Sequence, residues 1–256
     1  MQPRQILFAI CFYFLHAASA QTGKPLSDDV ANAGRVNFLK TNLTSIPFSN
    51  YSLQYERVMS KKISLAVTYR NMPTSYVPFK SAVQNAVGDD QNTKDIVSQT
   101  RINNYAITPE LRYYLGKGYG KGFYIAPYYR FVKFTTNQVP INYEVIPGIR
   151  KVVTLSGDLT ANTGGLLLGA QWLLGKQFCI DWWIIGAHYG SGTGDFVGKP
   201  NTPLSPAEQD EVRQQLEDID IPLTRKTVNV TANNVSVNLD GPFGGLRGGI
   251  SVGFRF

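Results

Sequence analysis

Cysteine is almost missing from this 256-residue chain, which holds two, Cys11 and Cys179. Cys11 falls in a leader expected to be removed, so no internal disulfide can staple the rest. Histidine is as scarce, with His16 and His188. One Cys and one His beyond the leader, without ligand spacing, exclude a recognisable metal centre. No segment after the first twenty residues is apolar for eighteen in a row, and mean hydropathy is −0.15. A membrane-spanning helix is therefore excluded. Phosphate-loop chemistry has no support either. Gly190-Ser-Gly-Thr-Gly194 has glycines but no Lys and no helix after it, and reads as a flexible loop.

What is present begins with charge. The 25 basic and 18 acidic residues give +7, and removal of Arg4 with the leader leaves +6. Three long stretches expected as loops (71–103, 134–161 and 190–245) hold nine basic and thirteen acidic residues. The excess therefore lies singly on turns and strand faces rather than in a stripe, and nucleic-acid binding is not expected. Residues 1–20 read as a secretory signal: Arg4, an apolar run from Ile6 to Leu15, then Ala18-Ser-Ala20. Residues 21–256 are expected to form one domain, with an insertion at 190–245. The sequons at Asn42, Asn50, Asn229 and Asn234 are read as chance occurrences.

Eight strands are expected, at about Val36–Ile46, Asn50–Val58, Ile63–Arg70, Asn104–Leu115, Gly122–Lys133, Asn162–Leu174 and Phe178–Tyr189, with the last from Leu246 to the end. Each alternates at period two. Ile63, Leu65, Val67 and Tyr69 oppose Ser64, Ala66, Thr68 and Arg70; Phe123, Ile125, Tyr129 and Phe131 oppose Tyr124, Ala126, Tyr128 and Arg130. Leu246, Ile250, Val252, Phe254 and Phe256 oppose Arg247, Gly249, Ser251, Gly253 and Arg255. Turns of three to six residues alternate with long connections, the asymmetry of outer-membrane barrels, and aromatics gather at strand ends.

Period two alone does not say which face is outside, and a soluble ligand-binding barrel is the rival. The polar faces decide: they combine Gly, Ala and Ser with Glu56, Glu110, Arg112 and Asp181. Eight strands leave an interior just wide enough for side chains to fill, which suits small residues and paired ions. The expected fold is all-β: an eight-stranded antiparallel up-and-down transmembrane β-barrel with a small helix in the last long loop. That helix starts at the capping box Ser205-Pro-Ala-Glu208 and carries Val212, Leu216 and Ile219 on one face. A hairpin follows, with Val228 and Val230 facing Val235 and Val237 across Asn233-Asn234. Ten strands result if that hairpin joins the wall.

These pieces resemble the small, functionally uncharacterised outer-membrane β-barrel proteins of the Bacteroidota, built like the OmpA and OmpX barrels. The resemblance rests on Lys40-Thr-Asn-Leu43, Leu53-Gln-Tyr-Glu56, Pro109-Glu-Leu-Arg-Tyr-Tyr114, Asp181 with Gly186-Ala-His-Tyr-Gly190, Ile219-Asp-Ile-Pro222 and Gly241-Pro-Phe-Gly-Gly-Leu-Arg247 leading to Gly253-Phe-Arg-Phe256. It implies location and fold and brings no assigned activity.

Two groups of interior ions follow. Lys40, Glu56, Glu110, Arg112, Asp181 and Arg255 lie toward the short-turn end, where facing charges must pair because an unpaired buried charge costs several kcal/mol, roughly 3–5. They form a structural plug or, alternatively, a gate. Arg70, Arg130 and Arg247 lie higher, without a same-level carboxylate on their strands, and form a candidate anion site at the mouth. Loop acids such as Asp195 or Asp240 are the competing partners. His188 is expected on the outward face, with parity opposite to Asp181, so no nucleophile–base pair forms and catalysis is not expected. No cofactor or metal is expected. The partners expected are outer-membrane lipid or lipopolysaccharide, and an extracellular partner for the loops. The function expected is a non-enzymatic anchor of surface loops, serving envelope integrity or external binding. A narrow, porin-like ion or solute channel is the alternative, and a lipid-modifying enzyme trails both.

Overall fold

A computed structural model describes residues 36–76 and 98–256, apart from positions 117, 147, 176, 220 and 222. The expected leader and most of the 71–103 stretch lie outside the described residues. Nine strands are present: β1 Asn37–Asn42, β2 Tyr51–Val58, β3 Ile63–Tyr76, β4 Arg101–Tyr114, β5 Gly122–Ile146, β6 Ile149–Leu174, β7 Phe178–Gly198, β8 Arg225–Thr231 and β9 Asn234–Arg255. The helix α1, Pro206–Glu217, stands between β7 and β8. All pairings are antiparallel. Strands β1 to β7 follow in order, β9 adds to β7, and β9 also pairs with β1 through Phe38↔Arg255 to Asn42↔Ser251. Eight strands thus close into a ring, and β8 flanks β9 outside it.

The alternation sorts as expected, and it is inside out for a soluble protein. Ser64, Ala66 and Thr68 are buried, whereas Leu65, Val67 and Tyr69 between them are exposed, Val67 at 45%. On β4, Ala106, Thr108, Glu110, Arg112 and Tyr114 are buried while Leu111 and Tyr113 are exposed. Leu166, Leu168 and Trp172 of β6 and Ile250 and Phe254 of β9 continue the apolar outer face.

The strand limits depart from expectation at the long-connection end. The first strand stops at Asn42 rather than Ile46. The Asn42 side chain accepts hydrogen bonds from Thr44 and from the Ser45 amide, and this turn leads into a 3₁₀ segment at Ile46–Phe48. The 134–161 stretch is not a long loop: β5 runs on to Ile146 and pairs with β6, which starts at Ile149. The supposed flexible loop Gly190–Gly194 is continuous β7. The hairpin pairs Val228 with Val237 and Val230 with Val235 as expected, but it turns at Ala232-Asn233 and runs straight on into the closing strand. The ring has the eight strands expected, and β8 is a ninth that pairs with β9 outside it rather than making a ten-stranded wall.

Above the ring the apolar face changes sides. Strands β5, β6, β7 and β9 continue, β8 joins them, and α1 packs on the face continuous with the ring interior. Ile141, Tyr143, Val153, Leu155, Val230, Val235 and Val237 bury against Leu204, Val212 and Leu216. The helix starts at the Ser205–Glu208 capping box, with Pro206 at its first position. Ile219 lies beyond its end and is exposed, so Val212 and Leu216 alone carry the helix face.

Candidate functional site: a neutral ion cluster under an arginine tier

The interior of the ring is polar because residues of one parity from β1, β2, β4 and β7 all point into it. Arg112 is the hub. Its guanidinium donates to Glu110 Oε2 (2.9 Å from Nη2), Glu56 Oε2 (3.0 Å), Asp181 Oδ2 (2.7 Å) and Gln54 Oε1 (3.1 Å). It also lies over the Tyr124 ring at 4.5 Å. Lys40 donates to Glu56, to Gln171 and to Asp181, the last at 2.8 Å. Each carboxylate is further saturated. Tyr114 and Ser64 hydroxyls donate to Glu56; the Tyr124 hydroxyl and the Trp183 indole donate to Asp181. Arg247 reaches down to the other oxygen of Glu110 at 2.9 Å.

Three acids (Glu56, Glu110, Asp181) and three bases (Lys40, Arg112, Arg247) therefore form one neutral cluster. The side chains of Lys40, Glu56, Glu110, Arg112 and Asp181 are fully buried. Mutual pairing with this many hydrogen bonds is the condition under which such charges can be taken out of water. Arg255 is the exception among the six expected members: its guanidinium stands 5.7 Å from the Phe38 ring centre, at the short-turn end. Gln54, Gln171, Tyr114 and Tyr124 belong to the cluster and were not singled out in the sequence. Their signal was parity, since each lies an even number of residues from an interior residue of its own strand.

The second expected group divides. Arg247 has a carboxylate partner after all, because Glu110 bridges the two levels. Arg70 donates to Asn104 at 2.8 Å and Arg130 to Thr108 at 3.3 Å, both neutral. Among the described residues neither has a carboxylate within ion-pair distance. Asp195 and Asp240, the acids expected to compete, are exposed, and Asp195 instead accepts from Asn238 at 2.6 Å.

His188 is placed on the wrong face by simple parity. A β-bulge between Trp183 and Gly186 inserts an extra residue, leaving Ile184 and Ile185 both exposed, and every later residue of β7 changes face. His188 consequently enters the interior, on the same side as Asp181. It sits edge-on to Tyr128 at 6.2 Å and is stacked near Phe243 at 6.4 Å. Room for both rings comes from Gly165, where a Cβ would meet the Tyr128 ring at 2.6 Å and His188 Cβ at 2.8 Å. Arg247 lies over Tyr128 (4.7 Å) and Trp183 (4.8 Å).

Outside the ring interior, Lys151 of β6 donates to Glu208 at the start of α1, and Glu208 also accepts from the Ser205 amide at 2.8 Å. The Lys151 bond first, then the Ser205 amide, pull the Glu208 carboxyl down to about 2 from its ordinary 4.5. The same bond raises the Lys151 ammonium. A recess of about 300 Å³ opens at the rim, lined by Tyr76, Gln99, Arg101, Gln138, Pro140 and Thr154. Its one cation, Arg101, is taken up by the Tyr76 ring and hydroxyl. Among the described residues no three His, Cys, Asp or Glu side chains gather as a metal site, and no helix is long and apolar enough to cross a membrane.

The class defined by this geometry is an all-β protein with a closed ring of eight antiparallel strands, a charged, side-chain-filled interior and an apolar outer face. The chain belongs to the family described as "Protein of unknown function (DUF3575)", whose model matches residues 10–195. That match covers β1 through most of β7 and stops before α1, β8 and the strand that closes the ring. No curated protein matches the chain.

Proposed function

We propose that this protein is an integral outer-membrane β-barrel of the OmpA and OmpX type, from a Gram-negative bacterium such as a member of the Bacteroidota, and exported by its N-terminal signal. Its role is non-enzymatic: it anchors a folded surface module for envelope integrity or for contact with an external partner. One observation carries this reading, the change of apolar face along single strands. On β6, Leu166, Leu168, Trp172 and Leu174 point outward and exposed, whereas Val153 and Leu155, farther along, point inward and buried. On β9, Ile250 and Phe254 point outward, whereas Val235 and Val237 point inward under α1. A strand wholly in water buries its apolar side throughout its length; one that leaves lipid for water reverses at the boundary.

The same observation sharpens the role of the long connections. The connections at 134–161 and 190–245 are a five-stranded sheet, β5-β6-β7-β9-β8, with a helix on its inner face, rather than loose loops. A preformed surface suits recognition because little ordering entropy is lost on binding. The neutral cluster, with the side chains of Lys40, Glu56, Glu110, Arg112 and Asp181 fully buried, fills the lower interior, which supports the anchor over the channel. The test is to fractionate cells expressing the tagged chain and to treat intact cells with protease. Recovery in the detergent-soluble outer-membrane fraction, with cleavage from outside between residues 199 and 224, is expected. Recovery in the soluble periplasmic fraction without detergent overturns the reading.

A further inference from the structure

We propose that the upper interior of the ring is a binding site for a small oxyanion of the phosphate class, held by Arg70 and Arg130 with Arg247, Tyr128 and His188 around it. Arg247, Lys40 and Arg112 are matched by Glu56, Glu110 and Asp181, so that cluster is closed. Arg70 and Arg130 remain, and they are near enough to each other and to Arg247 for the three guanidinium groups to repel. Arg130 is 7% exposed. Two enclosed cations beside a third, supported only by Asn104 and Thr108, are held together at a cost that an anion between them removes.

Unused hydrogen-bonding groups point the same way. Arg70 Nε, Arg247 Nη1, the Tyr128 hydroxyl and His188 Nδ1 are buried and have no hydrogen-bond partner among the described residues. Tyr128 is 6% exposed, and its hydroxyl lies close to Arg247 without hydrogen-bond geometry, because that guanidinium covers the ring face instead. Buried polar groups are paired in the great majority of cases, and four orphans in one tier indicate a missing common partner. The orphans lie on β3, β5, β7 and β9, on several sides of the interior, and two of them are guanidinium N–H groups. Such a set matches several oxygens of one ion and not a spherical halide. Two uncompensated positive charges match the charge of phosphate near neutral pH. Asp195 and Asp240, the acids expected to compete, are exposed and do not enter the place. This inference depends on the enclosed interior and not on what surrounds the ring.

The full chain, purified in an uncharged detergent and exchanged into phosphate-free buffer, is titrated calorimetrically with inorganic phosphate, and separately with a short-chain phosphatidylglycerol. Saturable binding of inorganic phosphate is expected, weakened roughly ten-fold or more in Arg130→Gln and unchanged in Arg213→Gln. Arg213 lies on α1. Tyr128→Phe removes only the hydroxyl and is the second variant, expected to bind more weakly even if Arg130→Gln fails to fold. Binding of both titrants assigns a free ion as ligand; binding of the lipid alone assigns a headgroup phosphate, and either supports the site. Absence of binding by both titrants, chloride binding as tightly as phosphate, or unaltered affinity in both Arg130→Gln and Tyr128→Phe overturns it.

Discussion

Asp181 takes hydrogen bonds from Lys40, Arg112, Tyr124 and Trp183. Truncating it leaves Lys40 and Arg112 sharing Glu56 but removes one negative charge from a neutral, fully buried cluster, and an uncompensated buried charge is costly. Asp181→Ala is expected to lower unfolding stability by about 3–5 kcal/mol, measured by urea titration in detergent micelles. A loss below about 1 kcal/mol, the range of exposed ion pairs, contradicts the enclosed cluster. At this scale much was legible beforehand. Glu56, Glu110, Arg112 and Asp181 alternate with apolar neighbours, so the pattern alone put them on one face. His188 was misplaced because a bulge changes the count by one without leaving a mark in composition, and the neutral members Gln54 and Gln171 carry no charge to draw notice.

The elements themselves were legible where one environment lasts the length of a strand and not where it changes. Strands β2, β3 and β4 keep most of their large apolar residues outward, Val58 and Met72 being buried, and start or end close to the expected residues. Beyond Lys133, β5 meets a bulge between Thr136 and Val139, reverses its apolar face and contains Pro140. Period two is broken at the point where the strand leaves the ring, so a strand reads as a loop. The helix was visible because its start is chemically explicit: Ser205, Pro206 and Glu208 satisfy its first amides. Glu208 also ties α1 to β6 through Lys151, and this gives the surface module a pH response. The Glu208 carboxyl is held at about 2, below its ordinary 4.5, so its contribution is complete above about 4.5 and fades as pH falls toward about 2. Pepsin cleavage within 199–224 is expected to accelerate across that interval in the native chain and to stay fast throughout in Glu208→Gln. Superimposable profiles contradict the linkage.

Viewed as a whole, the molecule joins two arrangements of opposite polarity along shared strands: a ring with ions inside and apolar residues outside, and a sheet-and-helix module with its apolar residues inside. The first arrangement is stable only where something other than water meets Val67, Leu168, Ile250 and their neighbours, since an exposed apolar belt of this extent in water is an association surface. In the proposed outer-membrane setting lipid tails would meet that requirement, and the closed ring satisfies its own backbone. Spin labels at single cysteines introduced at Val67, Leu168 and Val152, with Cys179 buried and inaccessible, report the surroundings directly once the protein is in bilayers. The account predicts that labels at positions 67 and 168 are relaxed by oxygen and shielded from a water-soluble nickel complex, while the label at position 152 is open to nickel. Equal nickel accessibility at all three positions would contradict it.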